Sequence, residues 1–126
     1  MNTLNIDPIN QARISIEVVD TDSGVGVSFV GDIDMQDPGV ILDPLFDKIH
    51  QGCLSKGITQ VKLDFTQLTF LNSSGIKSIA KWIMKLVDLP EGKKYTIAIV
   101  HNKDITWQVT SLPTLTFLVP GAVKVE

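Results

Sequence analysis

From Ile14 the chain alternates apolar and polar side chains, with Ile14, Ile16 and Val18 on one side and Ser15 and Glu17 on the other. That two-residue period belongs to a strand with one buried face. Asp20, Asp22, Ser23 and Gly24 supply a turn, and Val25, Val27 and Phe29 resume the alternation, so the two runs predict an antiparallel hairpin. Ahead of them Met1–Gln11 is polar and contains Asp7-Pro8, which predicts a loose lead-in over residues 1–12 and one domain over residues 13–126.

The period then changes. Asp37-Pro38 and Asp43-Pro44 each offer a capping carboxylate followed by a proline, and either can open a helix. Leu42, Leu45, Ile49 and Cys53 recur at helical spacing with Phe46 on the flank, while Asp47, Lys48 and Gln51 take the other side; the helix should end between Gly52 and Gly57. Val61, Leu63 and Phe65 mark a strand open to burial on both faces, and Thr66–Leu71 reads as a loop. A second helix follows Asn72-Ser73-Ser74-Gly75, with Ile76, Ile79, Ala80, Ile83, Leu86 and Val87 on its apolar side and Pro90 and Gly92 as its stop. Tyr95, Ile97 and Ile99 predict another strand. Asn102 or Asp104 should cap a short helix over Ile105–Ser111 that Pro113 closes, and Leu115, Phe117 and Val119 predict a last strand. The order β-β-α-β-α-β-α-β implies an α/β fold, a mixed sheet of about four to five strands with helices packed on it.

Composition narrows the function. The 126 residues suit one core, and 44% hydrophobic against 20% charged residues is enough apolar material to build it. Eleven Lys+Arg against fourteen Asp+Glu give a formal charge of -3 without any basic block, which argues against a nucleic-acid binder. One cysteine excludes an internal disulfide framework, and no apolar run is long enough to span a membrane. The N-terminus lacks the charged and apolar regions of a signal peptide, so the expectation is a cytoplasmic protein without a membrane. The mean hydropathy of +0.20 hints at a surface made for a partner.

Candidate chemistry gathers at Asn72-Ser73-Ser74-Gly75. A helix N-terminus leaves backbone N–H groups unpaired and carries the positive end of the helix dipole, so an anion is favoured there. A phosphate on Ser73 would bring about -1.5 to -2 charges to that spot. Other readings are weaker. Asp64 reads best as a strand-end carboxylate bonding the loop after it, and Cys53 as a buried small hydrophobe. His50 and His101 have no ligands at zinc spacing, and Ser73, His101 and Asp64 form a triad only on paper because no Gly-x-Ser-x-Gly elbow is present. No catalytic residue, metal or cofactor is expected.

The stretch Val61–Ile76, with Asp64, Asn72, Ser73, Ser74 and Gly75, resembles the central motif of STAS domains, the fold of bacterial anti-sigma factor antagonists. Val30-Gly31-Asp32-Ile33-Asp34 is similar to the element that ends the second strand in that family. The resemblance implies a phosphorylation switch in bacterial signalling rather than an enzyme. In it, Ser73 is the phosphorylated residue, with Asn72, Ser74, Gly75 and Asp64 supporting it. Gly75 would permit close approach of a partner or of the phosphate. Unmodified, such a domain binds a GHKL-type serine kinase that doubles as an anti-sigma factor; phosphorylation releases it, and a PP2C-like serine phosphatase resets it. Gly31, Asp32 and Asp34 together with Ile76, Lys77, Lys81 and Trp82 would form the docking surface. Trp82 reads evenly as a core edge or as an interface anchor. Two departures stand out: Asn72 replaces the family's acid, and the chain ends in Pro120-Gly121-Ala122-Val123-Lys124-Val125-Glu126, too short for the family's last helix. The edge left there would be covered by a second copy or a partner. Asn72 also favours an alternative, an interaction scaffold or small-ligand sensor that is not phosphorylated.

Overall fold

Six strands form one sheet in the order in which they occur along the chain: β1 (Ile9–Gln11), β2 (Ile14–Thr21), β3 (Gly24–Ile33), β4 (Gln60–Leu71), β5 (Thr96–Val100) and β6 (Val123–Val125). Three helices connect them: α1 (Gly39–Lys56), α2 (Ser73–Met84) and α3 (Thr106–Ser111). The computed structural model describes residues 3–11, 13–22 and 24–126, so Met1, Asn2, Ala12 and the predicted turn residue Ser23 lie outside the described residues. The sheet is mixed as predicted. The β1–β2 and β2–β3 pairs are antiparallel, and the β3–β4, β4–β5 and β5–β6 pairs are parallel.

Six strands replace the four to five expected. The additional strand is β1, where Ile9, Asn10 and Gln11 pair with Ile16, Ser15 and Ile14. Ile6 is buried in the core as well. The described part of the expected loose lead-in is therefore tied down: an isolated Ile6 and Ile9 among polar residues show no period, yet each finds the apolar side of the sheet.

Each parallel connection steps to the next strand in the same direction, so right-handed crossovers place the intervening helices on one face. Burial agrees. Ile16, Val27, Leu63, Ile97 and Ile99 are buried, whereas Glu17, Lys62, Thr96 and Lys124 are exposed on the other face. β4 was expected to be open to burial on both faces, but Lys62 and its neighbours show that only one is covered. Ala98 is buried on the open side because it is registered between Lys62 and Lys124; their aliphatic stems can cover it while the ammonium groups stay in water.

α1 opens at Asp37-Pro38, and Gly57 at φ +69° ends it in the left-handed region. Asp43-Pro44, the other candidate start, falls inside the helix. The predicted loop Thr66–Leu71 is instead the second half of β4, paired with β3 through two register shifts. At the C-terminal side, Leu115 and Phe117 lie in a 3-10 helix, Leu112–Phe117, and the last strand is β6 inside the short tail. Pro113 at its start favours the turn, and the Thr114 and Thr116 hydroxyls donate back to the Ser111 and Pro113 carbonyls at 2.5 and 2.7 Å. Apolar–threonine alternation thus imitates a strand while the hydroxyls satisfy a helical turn. α3 begins without the predicted side-chain cap; Asn102 Oδ1 accepts from the Asp104 N–H at 2.9 Å, closing a turn ahead of it.

Candidate functional site

The ends of β3 and β4 and the first turn of α2 meet at Asn72. Its Oδ1 accepts the Gly75 N–H at 2.8 Å, which caps α2 as predicted. Its own N–H donates to the Ile33 carbonyl at 3.1 Å, and its Nδ2 donates to the Met35 carbonyl at 2.8 Å. One side chain therefore fixes the helix start and the chain leaving β3. An aspartate here could still cap, but it has no proton to donate to Met35 and would face that carbonyl with a negative oxygen. This gives Asn72 a structural role that an aspartate could not fill.

Asn72→Ala is expected to lower unfolding free energy by about 1 kcal/mol for the cap, plus the loss of the Met35 contact. Asn72→Asp should recover the first part only. Urea denaturation of the two variants checks this order, and equal losses would contradict it.

Ser73 and Ser74 are exposed on the first turn of α2. Gly75 is buried: a Cβ there would lie 2.3 Å from Leu71 Cδ1. The glycine was expected to admit a partner or a phosphate, but it faces its own chain and lets α2 start against the end of β4. Ile76 is half-buried against the core, and Lys77 is exposed one turn after Ser73.

Gly31, Asp32 and Asp34 lie beside this turn. Ile33 is registered with Leu71, and Asp32 with Phe70. Gly31 adopts φ +114°, and a Cβ there would sit 2.0 Å from the Arg13 carbonyl oxygen, so only glycine fits. Arg13 reaches both acids, Nη2 to Asp32 Oδ2 at 2.9 Å and Nη1 to Asp34 Oδ2 at 3.0 Å. The Thr69 hydroxyl donates to the other Asp32 oxygen, Oδ1. That hydroxyl and then the guanidinium hold the Asp32 carboxyl below the usual carboxylate range. Arg13 and Thr69 were not among the predicted residues. Their signal is visible only in space, because they stand 19 and 37 residues from Asp32. Phe70, 46% exposed beside Asp32 on the part of β4 that the sequence predicts as loop, adds an apolar element.

Three predicted residues do not join this cluster. Asp64 is seven positions before Leu71 on β4, about 20 Å along the strand, and its Oδ1 accepts from the Thr66 N–H and hydroxyl at 2.9 and 2.6 Å. The contact is local, as expected, but it lies inside β4 and not at a strand end, because Thr66 belongs to the same strand. Lys81 lies two turns along α2 and pairs with Asp43 of α1 at 3.0 Å. This bond and the Ser78 hydroxyl keep the Asp43 carboxyl low. Trp82 is 1% exposed, so it is core and not an interface anchor. Its ring stacks on Phe46 at 4.7 Å and 5°. Cys53 is buried, and burial pushes its thiol up to about 12. His101 Nδ1 contacts the Glu126 carbonyl. Ser73, His101 and Asp64 therefore do not assemble as a triad.

No family model matches the sequence, and no curated protein matches it. Solved structures do. An anti-sigma factor antagonist from Mycobacterium paratuberculosis aligns with a TM-score of 0.60 and 22% identity over 85% of this chain and 83% of its own. A chain from the complex of the diguanylate cyclase SiaD with its activator SiaC from Pseudomonas aeruginosa aligns with a TM-score of 0.66 and 17% identity over 95% and 98%. An uncharacterized DUF3478-family protein with a SpoIIAA-like fold from Shewanella loihica aligns with 0.53 and 18% over 94% and 89%. The chain therefore has the SpoIIAA-like, STAS-type fold. No helix among the described residues is long and apolar enough to cross a membrane.

Proposed function

We propose that the protein is a non-enzymatic regulator of bacterial signalling that binds a protein partner and is gated by phosphorylation of Ser73. The observation that carries this reading is the exposed Ser73–Ser74 turn, joined through Asn72 to the β3 exit that bears Asp32 and Asp34. A phosphate there adds about -1.5 to -2 charges beside two carboxylates that share one guanidinium. A partner accommodated by the neutral turn would meet a strongly anionic one. The fold supports the reading by analogy, since one neighbour is an anti-sigma factor antagonist and another comes from a complex of an enzyme with its activator. The partner class proposed is a GHKL-type serine kinase acting as anti-sigma factor, with a PP2C-like serine phosphatase resetting the site in the cytoplasm. The docking surface proposed comprises Gly31, Asp32, Asp34, Ile76 and Lys77, now with Arg13, Thr69 and Phe70.

The test is incubation with candidate GHKL-type kinases and ATP, followed by phosphosite mapping by mass spectrometry. Binding of the same kinase by Ser73→Ala and Ser73→Asp is then compared. Modification at Ser73 is expected, with Ser73→Asp binding at least about tenfold more weakly, a difference near 1.4 kcal/mol. Binding that is equal in both variants, with Ser73 unmodified, would favour the second reading, a scaffold without phosphorylation. The Asn72–Met35 bond, which an acid could not make, is the feature on that side.

A further inference from the structure

Beneath the helices, a chain of hydrogen bonds joins α1, α2 and the approach to β5 at a single oxygen. Tyr95 is 1% exposed, and its Oη lies 2.7 Å from Trp82 Nε1 and 2.7 Å from His50 Nδ1. The indole N–H can only donate, so Oη accepts from Trp82. Burial raises the Tyr95 hydroxyl, which therefore keeps its proton. Among the described residues that proton has one partner, His50 Nδ1, which must then be an unprotonated acceptor with the ring hydrogen on Nε2.

We propose that the directional chain from Trp82 through Tyr95 to His50 is an acid-released latch, holding α2 against α1 only while the His50 ring is neutral. If His50 takes a second proton, Nδ1 becomes a donor. Oη then receives two donors, its own hydrogen loses its acceptor, and a cation sits in the α1–α2 junction.

The groups facing His50 are few. Asp47 on α1 favours the imidazolium, and Lys85 after α2 disfavours it. These two are paired with each other, so their fields largely cancel. Cys53, one turn further along α1, and Tyr95 both remain neutral because burial raises them. Burial, followed by Lys85, pushes the imidazole below its ordinary value. The sign follows. As pH falls through about 6.5, the histidine value of an unfolded chain, the unfolded state binds more protons than the folded one. Stability is present above that pH and is lost towards the lower folded value. His50 keeps 7% exposure, so a proton can reach it without unfolding the domain.

The latch stands on the geometry of three side chains. Its consequence for docking rests on the proposed function, because α2 is the helix whose first turn carries Ser73. Two measurements separate them. Long-range proton–nitrogen NMR on the wild type at pH 7.5 is expected to show His50 Nδ1 bare and Nε2 protonated, with a titration midpoint below that of an exposed histidine. Tyr95→Phe, which removes the donor to Nδ1, should raise that midpoint.

Melting temperature between pH 8 and pH 5 is the second readout. The wild type should fall by on the order of 5 °C for each unit by which folded and unfolded imidazoles differ. His50→Asn puts an untitratable amide oxygen near the Nδ1 position; it should melt lower at pH 8 and show a shallower slope. A proton found on Nδ1 at pH 7.5, or an unshifted midpoint in Tyr95→Phe, would overturn the latch. If His50→Asn does not fold, the NMR result decides. Docking is read apart from this, as amide exchange at Ser73–Ile76. Lower protection on acidification, after correction for the slower intrinsic exchange at lower pH, is expected in the wild type, and unchanged protection would confine the latch to stability.

Discussion

Trp82→Ala is expected to lower unfolding free energy by about 3–5 kcal/mol, the range for truncating a large aromatic in a well-packed core. For a domain whose total stability falls within about 5–15 kcal/mol, that is a large fraction. The side chain is 1% exposed, it stacks on Phe46 of α1, and its N–H donates to Tyr95, so the variant empties the space where α1 and α2 meet. Trp82→Phe keeps a ring against Phe46 and loses the donor; its cost should be about 1–2 kcal/mol, a lost hydrogen bond and part of the packing. Urea unfolding of the two variants provides the measurement. An exposed interface anchor would behave in the opposite way, leaving stability within about 0.5 kcal/mol of wild type while abolishing binding. A stability change that small in Trp82→Ala would return the residue to the surface.

The burial of Trp82, which the sequence leaves evenly between core edge and interface anchor, shows what periodicity can and cannot resolve. The stripe Ile76, Ile79, Ile83 places α2 correctly, and those residues face the core. Trp82 is one position from Ile83 and should sit at the edge of the stripe. It is buried because α1 lies beside α2 and not only because the sheet lies beneath it: Phe46 supplies a second wall. Conversely, the stripe also predicts Val87 on the apolar side, but it is 50% exposed: α2 ends at Met84, and the following 3-10 turn keeps Leu86 buried while it carries Val87 off the stripe. The hairpin, α1, β4, α2 and β5 were legible from one-dimensional patterns because each carries its own period. β1, β6 and the second half of β4 were not, since their identity depends on a neighbouring strand or side chain far away in sequence.

The site divides the same way. Asn72 as a helix cap is a local fact and was readable. The bond from Asn72 to Met35 spans 37 residues, as does the Thr69–Asp32 contact, and its continuation to Arg13 spans a further 19. These contacts make the Gly31–Asp34 segment a positioned surface. They also leave this cluster net negative, because one guanidinium serves two carboxylates, and a phosphate at Ser73 would have only exposed Lys77 within one helical turn.

Gln108→Leu is expected to destabilise the protein by about 3 kcal/mol or more, because three backbone groups lose their partners and each unsatisfied group costs about 1–3 kcal/mol. β5 pairs with β4 only as far as Asp64. Beyond that point the carbonyls on the free side of β4 have no strand to receive them, yet they are not bare. Gln108 Nε2 donates to the Phe65 and Leu68 carbonyls at 2.6 and 2.8 Å, Asn102 Nδ2 to that of Thr66 at 3.1 Å, and Trp107 Nε1 to that of Thr69 at 2.9 Å. Gln108 Oε1 in turn accepts the Asn102 N–H at 2.7 Å, and the whole side chain is fully buried. Side-chain amides thus stand in for a missing strand. Gln108→Leu preserves volume but removes all three bonds. Gln108→Glu preserves the acceptor for Asn102 while turning a carboxylate toward two carbonyls, so it should be worse at neutral pH and partly recover on acidification as the carboxyl gains a proton. The local readout is hydrogen exchange. Amides from Gln67 to Asn72, which lead into the Ser73 turn, should lose protection in Gln108→Leu more than those from Val61 to Asp64, which keep β5. Uniform loss along β4 would instead mean that the amides stabilise the fold globally and do not position the site.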